Sequence, residues 1–218
     1  MQDSNERFTI TDKEIYNKLI EDLDKEIDDK YDIRCLSLRE LVNEDTTPER
    51  RKEIKDAFST FTCPDKETEN FIRNEVINTK IVSLQEIAFL LNEHDFKNGK
   101  INILAYFSIS QHIMECNNNG KEEYIPFVSI DHIGKNTGYV NDNDMADIEI
   151  NLKDILYYII KTISWRQFTR CNFIIIELED NEKLAKMFEK CGFVFLQKKN
   201  GVSQYYLKKS LFQKFPLM

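Results

Sequence analysis

His132, Glu177 and Glu179 are the side chains whose types best suit proton transfer. An imidazole titrates near neutrality and so suits a general base. His132 lies in YIPFVSIDHIG, a segment that reads as a strand over residues 124–134. Glu177 and Glu179 close FIIIELED, whose apolar run over 173–178 is typical of a strand covered on both faces. Each has a plainer role open to it: His132 as a structural or surface residue, Glu177 as a carboxylate paired within the sheet. Tyr139, Tyr157 and Tyr158 fall at packing positions, and His94 and His112 sit in turn-like polar surroundings that suggest no role. No Ser/His/Asp order and no Walker loop stands out. The five cysteines (Cys35, Cys63, Cys116, Cys171 and Cys191) are scattered without a CxxC pair. They read as reduced, mostly buried thiols, and no metal site is expected.

The elements that must position these groups follow from periodicity. Apolar residues make up 41% of the 218-residue chain, enough for a core, while only 6 glycines leave little room for an all-β fold of tight turns. Ile15, Leu19, Leu23 and Ile27 recur every four residues, which predicts an amphipathic helix over 11–30, capped by the Thr11–Glu14 box. A short strand is expected over 33–38, a helical turn over 37–42, and a helix beginning at Pro48. Phe71, Ile72, Val76 and Ile77 share one face of the next helix. Strands over 83–91 and 101–110 form an antiparallel hairpin, and NNNGKEE interrupts the pattern before the strand at 124–134. Asn151 caps a helix whose Leu152, Ile155, Leu156, Ile159, Ile160 and Ile163 form a broad buried face. A helix ending at Gly192 and two closing strands, 193–196 and 203–207, complete the chain.

Charge narrows the partners. The net charge is −8, and residues 1–60 alone hold 17 acidic and 11 basic side chains. DNA is therefore not expected as a partner, because neutralising phosphates takes concentrated Lys and Arg. No apolar run approaches the roughly 20 residues that span a bilayer, and no signal-like N-terminus is present, so a cytoplasmic protein is expected. The abundance of Asn, Lys, Ile and Glu suggests an AT-rich bacterial or phage genome.

Three segments carry a family resemblance. EDNEKLAKMFEKCGFVFL at 179–196 resembles the GNAT superfamily of acyl-CoA N-acyltransferases, which place a short helix after an acidic strand end and then Gly-Phe. FTCPDKETENFIRNEV and KINILAYFSIS upstream resemble the toxin-type branch of bacterial toxin–antitoxin pairs, which acetylates charged tRNA. The resemblance covers roughly residues 56–210. It implies an α/β fold with a mixed, mostly antiparallel sheet flanked by helices, with residues 1–55 as a helical N-terminal extension and 56–218 as the GNAT-like domain. It further implies acetyl-CoA as cofactor and a primary amine as acceptor, with an aminoacyl-tRNA or a protein as possible substrates. The cofactor would lie along Ile133, Gly134, Lys135, Asn136 and Gly138, with Asn151 and Lys153 at the following helix.

Two departures from the family pattern stand out. The family cradles the cofactor pyrophosphate with a Gly-x-Gly loop before a helix. Here GKNTGYVNDNDMADIEINLKD keeps Gly134 and Gly138, has no Gly-x-Gly, and brings Asp142, Asp144, Asp147 and Glu149 near that position. The family's usual Tyr is replaced by Phe188, which cannot protonate a leaving thiolate. The alternative is therefore a catalytically silent GNAT-fold protein that binds a protein partner, with residues 1–60 as the contact surface.

Overall fold

A computed structural model describes residues 33–78, 84–118, 121–139, 150–165, 171, 173–179 and 181–208. The helix expected over 11–30 and the acidic stretch 141–149 lie outside the described residues.

The chain enters through β1 (Ile33–Ser37), and Ser37 ends it by capping α1 (Leu38–Leu41) in a capping box with Glu40. Thr47 caps α2 (Pro48–Thr60), with Pro48 in the first turn where its missing N–H costs nothing. Asp65 caps α3 (Lys66–Asn70), which widens into a π turn over Phe71–Glu75 and tightens to a 3-10 turn over Val76–Asn78. There follow β2 (Gln85–Asn92), α4 (Glu93–Lys97), β3 (Ile103–Asn118) and β4 (Lys121–Lys135). α5 (Leu152–Trp165) crosses to β5 (Phe173–Leu178), and α6 (Glu182–Lys190) leads to β6 (Val194–Lys199) and β7 (Val202–Lys208). Gly192 at φ +87° ends α6, and Asn200–Gly201, at φ 53° and 85°, turns β6 into β7.

Among the described residues seven strands form one sheet, ordered β1-β2-β3-β4-β5-β7-β6. Every neighbouring pair is antiparallel except β4–β5. A parallel pair needs a long crossover, and α5 supplies it.

Period-2 alternation splits the core between the two faces. On β2, Ala88 and Leu90 join one cluster with Phe107, Val128, Ile130, Ile174 and the buried stripe of α5. Ile87, Phe89 and Leu91 join the other, with Ile54 and Phe58 of α2, Ile72, Val76 and Tyr106. Helices thus cover both faces.

Two expectations need correction. NNNGKEE does not interrupt the sheet: Asn118 pairs with Lys121, so β3 and β4 form one long hairpin. Polar residues on a two-stranded ribbon with solvent on both sides satisfy pairing without any apolar period, which hid these strands from the pattern. The boundary at residue 55 also falls inside α2, whose Ile54 and Phe58 share a core with β2. β1 pairs with β2 along its whole length, so residues 33–55 are part of the sheet domain.

Tyr106 ties the two levels together, because its buried hydroxyl donates to the Thr68 carbonyl at 2.7 Å. Burial pushes that phenol far above its ordinary value, so it stays a donor. Tyr106→Phe removes this hydrogen bond, while the Thr68 carbonyl keeps the Phe71 N–H, and urea denaturation should show a loss of about 1 kcal/mol. An unchanged midpoint would mean the hydrogen bond contributes nothing.

Candidate active-site cleft

The cleft originates in a failure of pairing. β4 and β5 are in register only over Val128–Ile130 and Ile174–Ile176, although both strands run on. At the same level β4 is bulged: Ile130 faces Ile109 and His132 faces Ser108, so Asp131 has no opposite residue on β3. A bulge bends its strand and increases the local twist. Here it carries the end of β4 away from β5.

Between the parted strands lies a cleft of about 1420 Å³. The ends of β4 and β5 form its walls, the first turn of α5 and one side of α6 form its floor, and residues 63–68 form its lip. The lip is fastened through Glu69. Its carboxylate accepts the Cys63 N–H at 3.0 Å and pairs with Lys66 at 3.0 Å and Arg73 at 3.4 Å. Arg73 in turn donates to the Phe61 carbonyl at 2.6 Å.

The expected site residues divide by task. His132, Ile133, Gly134, Lys135, Asn151, Glu177, Glu179 and Phe188 border the cleft, and Asn136, Gly138 and Lys153 are not among its lining residues. The His132 ring is stacked on Phe71, with centroids 4.3 Å apart and planes 12° from parallel. Glu177 is exposed and accepts a hydrogen bond from Gln204 at 2.5 Å. Phe188 is fully buried, edge-on to Phe193 at 5.2 Å. Gly134 has a packing reason for its lack of a side chain: a Cβ there would stand 2.8 Å from Thr68 Cγ2 and 3.2 Å from Tyr106 Cε1.

Asn136 works on the protein itself. Its Oδ1 accepts the Thr62 and Gly138 N–H groups at 3.1 and 3.0 Å, and its Nδ2 donates to the Ile103 carbonyl at 2.8 Å. Together with the Thr137 N–H donated to Thr62, this stitches the start of the loop to the chain after α2. Gly138 belongs to the same clamp, since a Cβ there would collide with Thr62 Oγ1 at 2.5 Å.

The N-terminus of α5 is closed by its own residues. Asn151 Oδ1 accepts the N–H groups of Lys153 and Asp154, and Asp154 Oδ2 accepts the Asn151 N–H. The amides of Lys153 and Asp154 are thus engaged within the helix; Lys66 and Lys135 line the cleft, and the expected Lys153 is not among the lining residues. The cleft between the strands is large enough for an extended ligand.

Asp131 was not anticipated as a site residue. The signal was present in the spacing: Val128, Ile130 and Ile133 change phase by one residue, as a bulge requires. Among the described residues no group of three metal-ligating side chains converges, and no helix is long and apolar enough to cross a membrane. Cys63, Cys171 and Cys191 are buried free thiols, and burial pushes the Cys35 thiol up to about 12.

No protein-family model and no curated protein matches the sequence. Solved structures do match. A Tyr-to-Phe mutant of the AtaT toxin, bound to the C-terminus of its antitoxin AtaR and acetyl-CoA, aligns at TM-score 0.57 and 13% identity, covering 84% of this chain and 97% of that one. AtaT complexed with acetyl-methionyl-tRNAfMet aligns at 0.56 and 12%, covering 84% and 98%. The KacTA–DNA complex aligns at 0.56 and 11%, covering 84% and 96%. The chain has the GNAT fold. At this identity the likeness establishes the fold, and the expected mixed, mostly antiparallel sheet flanked by helices is the one observed. Within the GNAT fold, the parting of β4 from β5 is what opens the cleft.

The lip supplies a test of the cleft's construction. The Cys63 N–H foremost, and then Lys66, hold the Glu69 carboxyl below its ordinary value of 4.5, against the opposing effect of burial. A lowered carboxylate contributes stability above its ordinary value and loses it as pH falls through the lowered one. Glu69→Gln should therefore melt at a lower temperature at pH 7, with the gap closing in acid. A gap independent of pH would show that the charge is immaterial.

Proposed function

We propose that the protein is an acetyl-CoA-dependent N-acetyltransferase acting on a primary amine. The observation that carries this reading is the large cleft at the point where β4 and β5 lose their pairing. Among the described residues no strand pairs with β4 over 131–135 on the β5 side, which leaves backbone groups there for an extended ligand. An acyl-CoA arm laid along this edge would be aligned by backbone hydrogen bonds, much as a strand is. Lys135, at the end of that edge, would meet its phosphates. When bound, acetyl-CoA supplies an activated acyl group. Positioning an amine against it is worth a large part of the barrier.

The acceptor reaches the cleft past His132, whose stacking on Phe71 fixes the ring, and past Glu177 on the facing strand. AtaT is found with acetyl-methionyl-tRNAfMet, which motivates an aminoacyl-tRNA as one acceptor. The lining weighs against a tRNA, and equally against the cofactor's own phosphates, because Asp65, Glu67, Asp131, Glu177, Glu179 and Glu182 outnumber Lys66 and Lys135. A protein acceptor, or a protein partner through residues 1–60, is compatible with the acidic N-terminal segment, and AtaT is found with the C-terminus of its antitoxin.

The second reading, a silent fold that binds a protein, is favoured by two observations. The α5 N-terminus is capped by its own side chains, and Phe188 offers no proton.

Titration calorimetry separates the two. The transferase reading expects micromolar acetyl-CoA binding, weakened about tenfold or more by Lys135→Asp through charge reversal beside the phosphates. No heat at millimolar acetyl-CoA would leave the silent reading standing. Phe188→Tyr restores the hydroxyl of the family pattern, and general-acid assistance is commonly worth about 10²–10⁴. Turnover should rise by at least about tenfold in this variant. A rate unchanged or lowered, in a variant that still binds acetyl-CoA, would place the proton donor elsewhere.

A further inference from the structure

Small and polar side chains meet on the α5 face of the sheet, at a place where apolar ones would close it. Period-2 alternation puts Cys35 and Ser37 of β1 and Glu86 and Ala88 of β2 on that face, with Ser37 directly opposite Ala88. Tyr158, Lys161 and Thr162 share one face of α5, being three and four residues apart. Cys35, Ser37 and Ala88 are too short to fill the space beneath the helix. A cavity of about 110 Å³ remains there, lined by these seven residues and Glu40. Among the described residues it shares no lining residue with the cleft.

The wall is polar almost throughout, since every lining residue except Ala88 carries a polar side-chain group. Glu86 and Tyr158, only 5% and 2% exposed, form its base. Glu40 is exposed, and the half-buried Lys161 and Thr162 stand nearer the surface. Charges from three elements converge on this space, and the Cys35 thiol registers all of them. Burial foremost pushes that thiol up, Lys161 acts against the rise, and Glu40 and Glu86 add to it. Thr162 is its hydrogen-bonding partner. Taking a carboxylate out of water is costly, and an apolar residue at position 86 would continue the face of Ala88 and Leu90 at no such cost.

We propose that this cavity binds a small zwitterionic α-amino acid of the size of glycine, its carboxylate toward Lys161 and its ammonium toward Glu86 and Glu40. The site stands apart from the transferase reading. Size and charge select the occupant. A cavity of about 150 Å³ accepts benzene, so the space here suits a somewhat smaller molecule, and a polar wall does not stay dry. A lone anion would meet Lys161 but also two carboxylates, and a lone cation would meet the carboxylates but also Lys161. A molecule with both signs answers both walls, and the hydroxyls of Tyr158 and Thr162 can donate to its carboxylate.

Equilibrium dialysis of the full chain against radiolabelled glycine tests this, with amide NMR spectra to locate the bound ligand. Glycine should bind saturably and shift the amides of Cys35, Glu86 and Lys161 while leaving those of the cleft in place. Acetate keeps only the negative end and methylammonium only the positive end; each should compete at least about tenfold more weakly. Leucine should not compete, because its side chain exceeds the space. Lys161→Met and Glu86→Gln should each weaken glycine about tenfold or more by removing one charge. Ala88→Leu, which fills the cavity without changing charge, should abolish binding. No saturable uptake at about 10 mM glycine would mean that the cavity holds water only, and would overturn the proposal. Equal competition by acetate or methylammonium, or unaltered glycine binding in Ala88→Leu, would overturn it too. The competition series uses the unaltered chain, so it decides the matter whether or not a variant folds.

Discussion

The site depends on three residue pairs between β4 and β5 and on the absence of a fourth. A parallel ladder holds the strands over Val128–Ile130; one residue later the Asp131 bulge bends β4 away. Had the pairing continued to Lys135, the cleft would be closed sheet and the edge of β4 would have no free groups. The bulge therefore does two things at once. It opens the space, and it shifts the phase of β4 so that Asp131 and His132 stand beside it.

Everything around that break is arranged to keep it in place. α5 packs Ile155, Leu156, Ile159 and Ile163 on one face of the sheet, which fixes β4 and β5 where they still touch. On the other face Tyr106, Phe61 and Ile72 support the lip, and Gly134 lets Thr68 close in without a Cβ between them. Two polar clamps, Glu69 with Arg73 and Asn136 with Thr62, fasten the lip at either end. Rigid walls around an open cleft suit a site that must align two reactants.

Much of this was legible in the sequence because it is written in hydrophobic period. Phe173–Ile176 is a continuous apolar run in a strand between β4 and β7, and the broad apolar stripe of α5 is buried. Pro48, Asn151 and Gly192 marked helix ends where sterics and hydrogen bonding leave few options. The ribbon from Gln111 to Phe127 was harder, since strands with water on both faces carry no alternation. The roles of single residues were hardest. Gly134 and Asn136 read as ligand contacts, yet Gly134 is required by packing and Asn136 is engaged by Thr62, Gly138 and Ile103. Such roles depend on residues about thirty to seventy positions away, which no local pattern reports. His112, set aside as a turn residue, lies on β3 and reaches Asp131 through Ser110.

Hydrogen exchange of the backbone amides, with and without acetyl-CoA, tests the central claim most directly. If the edge of β4 beyond the bulge receives the cofactor arm, amides within residues 131–135 should exchange quickly in the free protein and slow markedly when acetyl-CoA is added. Those of Val128–Ile130, already laddered to β5, should change little. Unchanged exchange over 131–135 at saturating acetyl-CoA, or protection confined to another part of the chain, would contradict the account.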